Sequence, residues 1–334
     1  MTDSPHIALE RVSFRFADGV PLFEGLSEVF DDRHTGLVGR NGVGKTVLGR
    51  LLAGDLQPSE GRVVRQGRIA YLPQRIVAAA DARVVDLAGC AHWFDAMQRV
   101  MRGQPHEDDI ECLEGRWDLA ERLQAALHEE GLGHLDVQTP AAQLSGGECS
   151  RIALLGALQA DADLLILDEP GNHLDQASRT RLGQRLAGRR GGVLLISHDR
   201  DLLAGMQRIV ELSASGLRSY GGGYAFYQAS REQEREAAWQ TLNSARVERK
   251  RGERALRQQH ERQQQRMASG VRQGKDSNQA KILLGMQKNR SESSAGRVAT
   301  RLQAQRQKLD EQVRDAAAAL DEEREVTLHG QAAP

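Results

Sequence analysis

Residues 39–46 read Gly-Arg-Asn-Gly-Val-Gly-Lys-Thr, a full match to the phosphate-loop pattern G-x-x-x-x-G-K-[ST]. Each position has a physical task. Gly39, Gly42 and Gly44, with Asn41 between them, let backbone N–H groups turn inward around phosphate oxygens. Lys45 supplies a mobile cation for the β and γ phosphates, and the Thr46 hydroxyl can ligate Mg²⁺. A helix beginning near Lys45 adds its positive N-terminal end. The flanks suit the motif: His34–Val38 reads as a short buried strand, and Val47–Ala53 as an apolar helix. A nucleoside triphosphate with Mg²⁺ is the expected ligand.

Two further clusters carry chemistry. Leu164-Leu165-Ile166-Leu167 runs straight into Asp168-Glu169. A bare apolar run marks a strand buried on both faces, and such a strand delivers its C-terminal end to the ligand crevice. Asp168 can there orient Mg²⁺, and Glu169 can polarise an attacking water. Leu144-Ser145-Gly146-Gly147-Glu148 opens a helix over Cys149–Leu158, making a second helix N-terminus suited to an anion.

The composition narrows the class. With 334 residues, about two domains are expected. No apolar run approaches the roughly 18 residues that span a bilayer, and Met1–His6 carries neither a basic start nor an apolar signal core. Three cysteines, Cys90, Cys112 and Cys149, are too few and too scattered for a disulfide framework. They predict reduced thiols, a cytoplasmic location and no zinc site. The net charge of −1 hides an asymmetry. Residues 246–308 hold 17 Lys+Arg against 5 Asp+Glu, and the rest of the chain carries the opposite excess. That segment is built to meet an anion much larger than a nucleotide.

Along the chain, Ile7–Phe16 and Leu22–Phe30 read as strands about an Asp18-Gly19 turn. Val63–Leu72 reads as two short strands around Gln66-Gly67. Ala82 to about Gly131 turns helical, and Val193–Ile196 is another buried strand. Strands alternating with helices predict a mostly parallel sheet with helices on its faces. After about Gln228 the texture changes: Ser230–Arg266 is rich in Arg, Gln, Glu and Ala and predicts a long helix. Gly270, Gly274, Gly285 and Gly296 are read as breaks, and Leu302, Leu309, Val313 and Leu320 return a heptad-like stripe. Two antiparallel helices with a glycine-containing tip, residues 267–296, are expected. Trp239, Leu242, Val247 and Leu256 are the few apolar positions of the outgoing helix, so the pair should be thin.

Taken together, these motifs resemble the ATP-binding cassette (ABC) ATPases. Leu-Ser-Gly-Gly-Glu, about twenty residues before an Asp-Glu strand end, is similar to that family's signature. The resemblance implies the α/β fold of an ABC-type P-loop cassette, with a mixed or parallel sheet and a helical subdomain at about 82–140. It makes the ligands ATP and Mg²⁺. It casts Gln74, in Tyr-Leu-Pro-Gln, as the Q-loop residue that contacts Mg²⁺, and His198, in Ile-Ser-His-Asp, as the switch histidine. Gly171–Asp175 matches the D-loop. Phe16 sits where the family stacks an aromatic on adenine, with Phe14 as the fallback. Glu169 would be the general base, with Lys45 and His198 stabilising charge on the transferring phosphoryl group. Thr46, Gln74 and Asp168 would hold the metal. Ser145, Gly146 and Gly147 would complete the site of a second cassette facing this one head to tail.

Asp168–Asp175, Asp-Glu-Pro-Gly-Asn-His-Leu-Asp, resembles the ABC-F branch, whose usual form has Thr where Gly171 stands. Tyr220–Tyr227 resembles that branch's end-of-cassette motif, normally with Asn near Gly223. The resemblance implies a cassette over 1–228, a basic helical-hairpin linker over 229–325 and a tail over 326–334. It also implies a ribosomal partner, with hairpin residues 246–308 meeting ribosomal RNA and tRNA, and no membrane insertion. Basic residues with few aromatics suit backbone contact with structured RNA more than base stacking. One phosphate loop, one signature and one switch histidine are present. A second cassette is therefore expected in trans or in sequence missing after Glu325, and full ATPase activity is expected to need it. Four other readings use the same residues. They are the ATPase subunit of a membrane transporter, coupled through residues 82–140; a DNA-associated ABC ATPase using the hairpin; a charged coiled coil acting as a spacer; and nucleotide-dependent binding without turnover.

Overall fold

The bare apolar runs form the middle of a sheet. The computed structural model describes residues 5–276, 303–304, 307–315 and 317. The strands, in order, are β1 (His6–Arg15), β2 (Pro21–Phe30), β3 (His34–Gly39), β4 (Glu60–Gln66), β5 (Ile69–Leu72), β6 (Leu164–Asp168), β7 (Gly192–Ile196), β8 (Arg208–Ser213) and β9 (Gly216–Tyr220). The helices are α1 (Lys45–Ala53), α2 (Val84–Leu87), α3 (Ala91–Met101), α4 (Asp109–Leu113), α5 (Leu119–Glu129), α6 (Gly146–Gln159), α7 (Gln176–Ala187), α8 (Arg200–Ala204) and α9 (Tyr224–Asp276). The chain divides into two units, Met1–Gln228 and Ala229–Pro334.

In the first unit, a six-stranded sheet has the order β5-β6-β7-β3-β8-β9 and a three-stranded sheet the order β2-β1-β4. The larger sheet is parallel except for β9, which pairs antiparallel with β8. The smaller sheet is antiparallel throughout. Val63–Leu72 does hold two strands, but the turn at Gly67 sends them to different sheets, β4 to the small one and β5 to the edge of the large one.

Strand alternation builds two cores at once, because successive side chains point to opposite faces. Leu164, Ile166, Leu194 and Ile196 meet Leu48, Leu51 and Leu52 of α1 and Ile7, Phe23 and Phe30 of the small sheet. Leu165, Leu167, Val193 and Leu195 meet Leu154, Leu182, Leu186 and Leu202 on the other face. Helix α1 is thus covered by both sheets, which anchors the phosphate loop that precedes it. Its end is set by Gly54, whose φ of 98° lets the backbone turn back and hydrogen-bond the Arg50 and Leu51 carbonyls. A third core joins α2, α3, α5 and the segment Leu132–Val137 to Ile152 and Leu155 of α6.

Most of α9 belongs to the second unit, and the helix is longer than its sequence predicts. It runs through Gly252, Gly270 and Gly274 to Asp276, 53 residues in all, or about 80 Å. An interior glycine costs about 1 kcal/mol relative to alanine. Strong helix formers on both sides outweigh that in a helix already nucleated, so Gly270 and Gly274 do not break it. Trp239 and Val247 are exposed and Leu242 is buried. Residues 307–315 are helical. The Leu309 side chain packs against the Gly252 backbone, and Arg249 Nη1 lies 3.7 Å from Asp310. Most of the expected tip, with Gly285 and Gly296, Leu302 and Leu320 of the stripe, and the tail 326–334, lies outside the described residues.

Candidate functional site

The phosphate loop sits between the end of β3 and the start of α1. Gly39, with a φ of 155°, closes the strand at a point where a Cβ would meet the Leu212 carbonyl. Gly42 and Gly44 take φ values of 83° and 105°, a region that side chains disfavour. Helix α1 then begins at Lys45. A cavity of about 390 Å³ opens over this loop, lined by Phe16, Leu22, Asn41, Gly42, Gly44, Lys45, Thr46, Val47, Gln74, Asp168 and Glu169. Segments far apart in sequence thus converge: the end of β1, the loop, the second residue after β5 and the tip of β6.

Lys45 is buried and its Nζ donates to the carbonyls of Gly39 (2.8 Å) and Arg40 (3.0 Å). The same Nζ lies 3.0 Å from His198 Nε2, and His198 Nε2 lies 3.6 Å from Glu169 Oε1. Burial lowers the Lys45 pKa, against the pull of the Glu169 and Asp168 carboxylates. Glu169 goes the other way. Burial pushes its carboxyl up to about 7, Lys45 offsets part of this, and the charge of Asp168 adds to it.

Glu169 also has a φ of 50°, uncommon for a residue with a side chain. Its backbone N–H donates to the Ile196 carbonyl (2.8 Å), which ties the end of β6 to β7. Backbone held in this region costs about 1–3 kcal/mol and collects at functional positions. Sequence reading gives no sign of it.

Asp168 is 1 % exposed, and neither of its carboxylate oxygens has a completed hydrogen bond. Burial raises its pKa, and the nearby Thr46 hydroxyl, Lys45 and the Tyr71 hydroxyl offset this only in part. Two buried, unpartnered carboxylate oxygens are costly unless a cation meets them. With Thr46 and Gln74 on the same cavity wall, the donors are all oxygens, which is the chemistry that suits Mg²⁺. Among the described residues, no three His, Cys, Asp or Glu side chains cluster as a ligand set for another metal.

Phe16 is 45 % exposed at the cavity rim, whereas Phe14 packs into the core between the sheets. The rings meet edge to face at 5.8 Å. Ser145, Gly146 and Gly147 do not line this cavity. Ser145 caps α6: its Oγ accepts from the Glu148 N–H (3.3 Å), and its N–H and Oγ donate to Glu148 Oε2 (2.8 and 2.7 Å). His134 Nε2 holds the other Glu148 oxygen at 3.2 Å. In the Gly171–Asp175 segment, Asp175 caps α7 through the Ser178 N–H (2.7 Å), with Asn172 and His173 exposed. Tyr220 and Tyr227 pack edge to face at 5.0 Å in the core.

The family described as ABC transporter matches residues 27–172. The tylosin resistance ATP-binding protein TlrC of Streptomyces fradiae is 32 % identical over 272 residues, which cover 73 % of this chain and 49 % of that protein. ABC transporter F family member 3 of Arabidopsis thaliana is 33 % identical over 203 residues, 60 % of this chain and 26 % of that protein. The chain therefore spans half or less of these relatives. A solved bacterial Atm1-family ABC exporter with ATP bound superposes with a TM-score of 0.51 at 20 % identity, over 66 % of this chain and 40 % of that one. This last likeness is one of fold. With its phosphate loop and its Asp-Glu strand end, the chain carries the ATP-binding cassette of the ABC family over residues 27–172, and its relatives include an ABC transporter F family member.

Proposed function

We propose that this chain is the nucleotide-binding cassette and basic linker of an ABC-F ATPase that works on the ribosome, in translation or in protection against an antibiotic. Its ligands are ATP and Mg²⁺, and its setting is the cytoplasm. The observation that carries the ribosomal part is the charge of residues 246–308, 17 basic against 5 acidic side chains, on a chain similar to a tylosin resistance protein. A transporter subunit needs no such segment, and no helix among the described residues is long and apolar enough to cross a membrane.

The cassette's own residues divide the work. Phe16 stacks on the adenine at the rim. Gly39, Asn41, Gly42 and Gly44 turn backbone N–H groups to the phosphates, and Lys45 leaves the Gly39 and Arg40 carbonyls to meet the β and γ oxygens. Asp168, Thr46 and Gln74 hold Mg²⁺, which when bound neutralises charge on the transferring phosphoryl group. Glu169, with a pKa raised to about 7, is matched to accept a proton from the attacking water near neutral pH. His198, within reach of both Lys45 and Glu169, stabilises the developing charge. Ser145, Gly146 and Gly147, outside the cavity, close the site of a second cassette. Nucleotide-driven closure is then the mechanical output.

Ribosome pelleting of the Glu169→Gln protein, with and without ATP and at two salt concentrations, tests the proposal. ATP-dependent pelleting supports a cassette clamp. Salt-sensitive pelleting indifferent to ATP means that the linker binds RNA alone. No pelleting overturns the ribosomal reading. Deleting residues 246–308 should abolish pelleting and leave ATP binding intact.

A further inference from the structure

Two buried groups of opposite kind lie close together near the end of β6. The Tyr71 hydroxyl is buried and lacks a hydrogen-bond partner, as do both oxygens of Asp168. Tyr71 lies on β5 and Asp168 ends the adjacent β6, in parallel register with Tyr71 opposite Ile166. The hydroxyl interacts with that carboxylate, at a geometry short of a completed hydrogen bond. One ordered water, or a small movement of the ring, would complete it.

The ring lies beside a glycine of α1. Gly49 is the fifth residue of the nine-residue α1, where alanine would be favoured by about 1 kcal/mol on propensity alone. A Cβ on Gly49 would come within 2.9 Å of Ile196 Cδ1 and 3.6 Å of Tyr71 Cε2, with the Tyr71 hydroxyl at 3.9 Å. The helix therefore gives up propensity where it passes Ile196, with the Tyr71 ring in ordinary contact beside it. Apolar packing alone would be met as well by phenylalanine, which carries no polar atom to bury.

We propose that Tyr71 is a positioning residue for Asp168: its buried hydroxyl, held against Gly49, fixes the carboxylate in the orientation that binds the Mg²⁺ of the nucleotide. This rests on the reading of Asp168 as a metal ligand. Partners that orient a ligating group typically change metal affinity 10- to 100-fold when removed. Tyr71→Phe deletes the hydroxyl and keeps the ring.

The test titrates Mg²⁺ into the full chain with a fluorescent ATP analogue at fixed concentration. Tyr71→Phe should raise the Mg²⁺ concentration for half-maximal binding about 10-fold. Binding of the analogue in EDTA should be unchanged, which a general loss of packing would not allow. Added to Asp168→Asn, Tyr71→Phe should have no further effect, because the hydroxyl would have no carboxylate to orient. Equal Mg²⁺ requirements for the wild type and Tyr71→Phe overturn the proposal alone. If Asp168→Asn itself leaves the Mg²⁺ requirement unchanged, or the wild type binds no analogue, the reading of the site falls and the proposal with it.

Discussion

Lys45 Nζ lies 3.0 Å from His198 Nε2. An ammonium has only donors, so in this contact Nε2 accepts. The contact joins the phosphate loop to the end of β7 and gives Lys45 a third partner beside two carbonyls. Replacing either residue should then give different results. Lys45→Ala removes a charge-assisted contact to phosphate worth about 1.5–3 kcal/mol, so ATP affinity should fall about 10- to 150-fold in equilibrium dialysis. His198→Gln leaves the lysine on its two carbonyls. It should bind ATP within a few-fold of the wild type and lose turnover in a phosphate-release assay with a second cassette present. Comparable losses of affinity in both variants would refute this division.

Glu169 sets a pH dependence of opposite sign to that of a salt-bridged acid. Its folded pKa is raised from 4.5 to about 7, so between those values the folded chain holds a proton that the unfolded chain has released. Stability from this group is full below about pH 4.5 and is lost as pH rises through about 7. The whole effect is at most about 3 kcal/mol. Glu169→Gln should therefore melt several degrees above the wild type at pH 8 in the absence of nucleotide, with the gap closing at pH 5. Turnover, which needs the ionised base, should rise through about pH 7 in the wild type. A gap independent of pH between the two melting curves would contradict the raised pKa.

Much of this site could be read from residue order because its parts are local. The phosphate loop needs glycine at fixed positions, and the run ending in Asp168 is apolar at four consecutive positions. The missed features depend on contacts across the fold. Strand β8 went unread because Arg208 and Glu211 interrupt its apolar pattern. Both are buried, Arg208 donating to Thr35 and to the Val29 carbonyl and Glu211 accepting from the Tyr220 hydroxyl. The left-handed φ of Glu169 comes from its tie to Ile196, a partner 27 residues away. The closeness of Tyr71 to Asp168 depends on β5 lying beside β6. The extent of α9 depends on the whole helix, which carries Gly270 and Gly274 through to Asp276.

Ser145 joins a cap to a proposed role in trans, and the two can be separated. Its reciprocal bonds with Glu148 start α6, and replacing such a cap by alanine costs about 0.5–2 kcal/mol. Ser145→Ala should thus lower the melting temperature by a few degrees and leave ATP binding to the isolated chain unchanged, since Ser145 does not line the cavity. Cross-linking or light scattering should show loss of ATP-dependent pairing between cassettes. Glu148→Ala should match it in stability, because it removes the other half of the same capping pair. Weakened ATP binding in monomeric Ser145→Ala would sink the assignment in trans.

Two glycines, Gly156 and Gly171, should respond differently to a side chain. Gly156 lies inside α6, where a Cβ would be driven into the Ala88 backbone at the end of α2. Backbone cannot yield as a side-chain tip can, so Gly156→Ala forces α2 and α6 apart. Overpacking of this kind costs about 1–3 kcal/mol. Gly171 has φ outside the left-handed region, and a Cβ there would meet only Leu202 Cδ1 at 3.5 Å and Asp199 Oδ2 at 3.7 Å. Gly171→Thr, the residue usual at that place in the ABC-F motif, should therefore cost less than Gly156→Ala, because its Cβ meets only side-chain atoms in ordinary contact. Thermal melting of both variants decides the matter, and hydrogen exchange should place the Gly156→Ala loss in Val84–Ala88 and Leu119–Val137. A Gly171→Thr loss equal to that of Gly156→Ala would mean that the loop before Asp175 is tighter than its contacts imply. A neutral Gly156→Ala would mean that the helical subdomain slides on α6 at little cost.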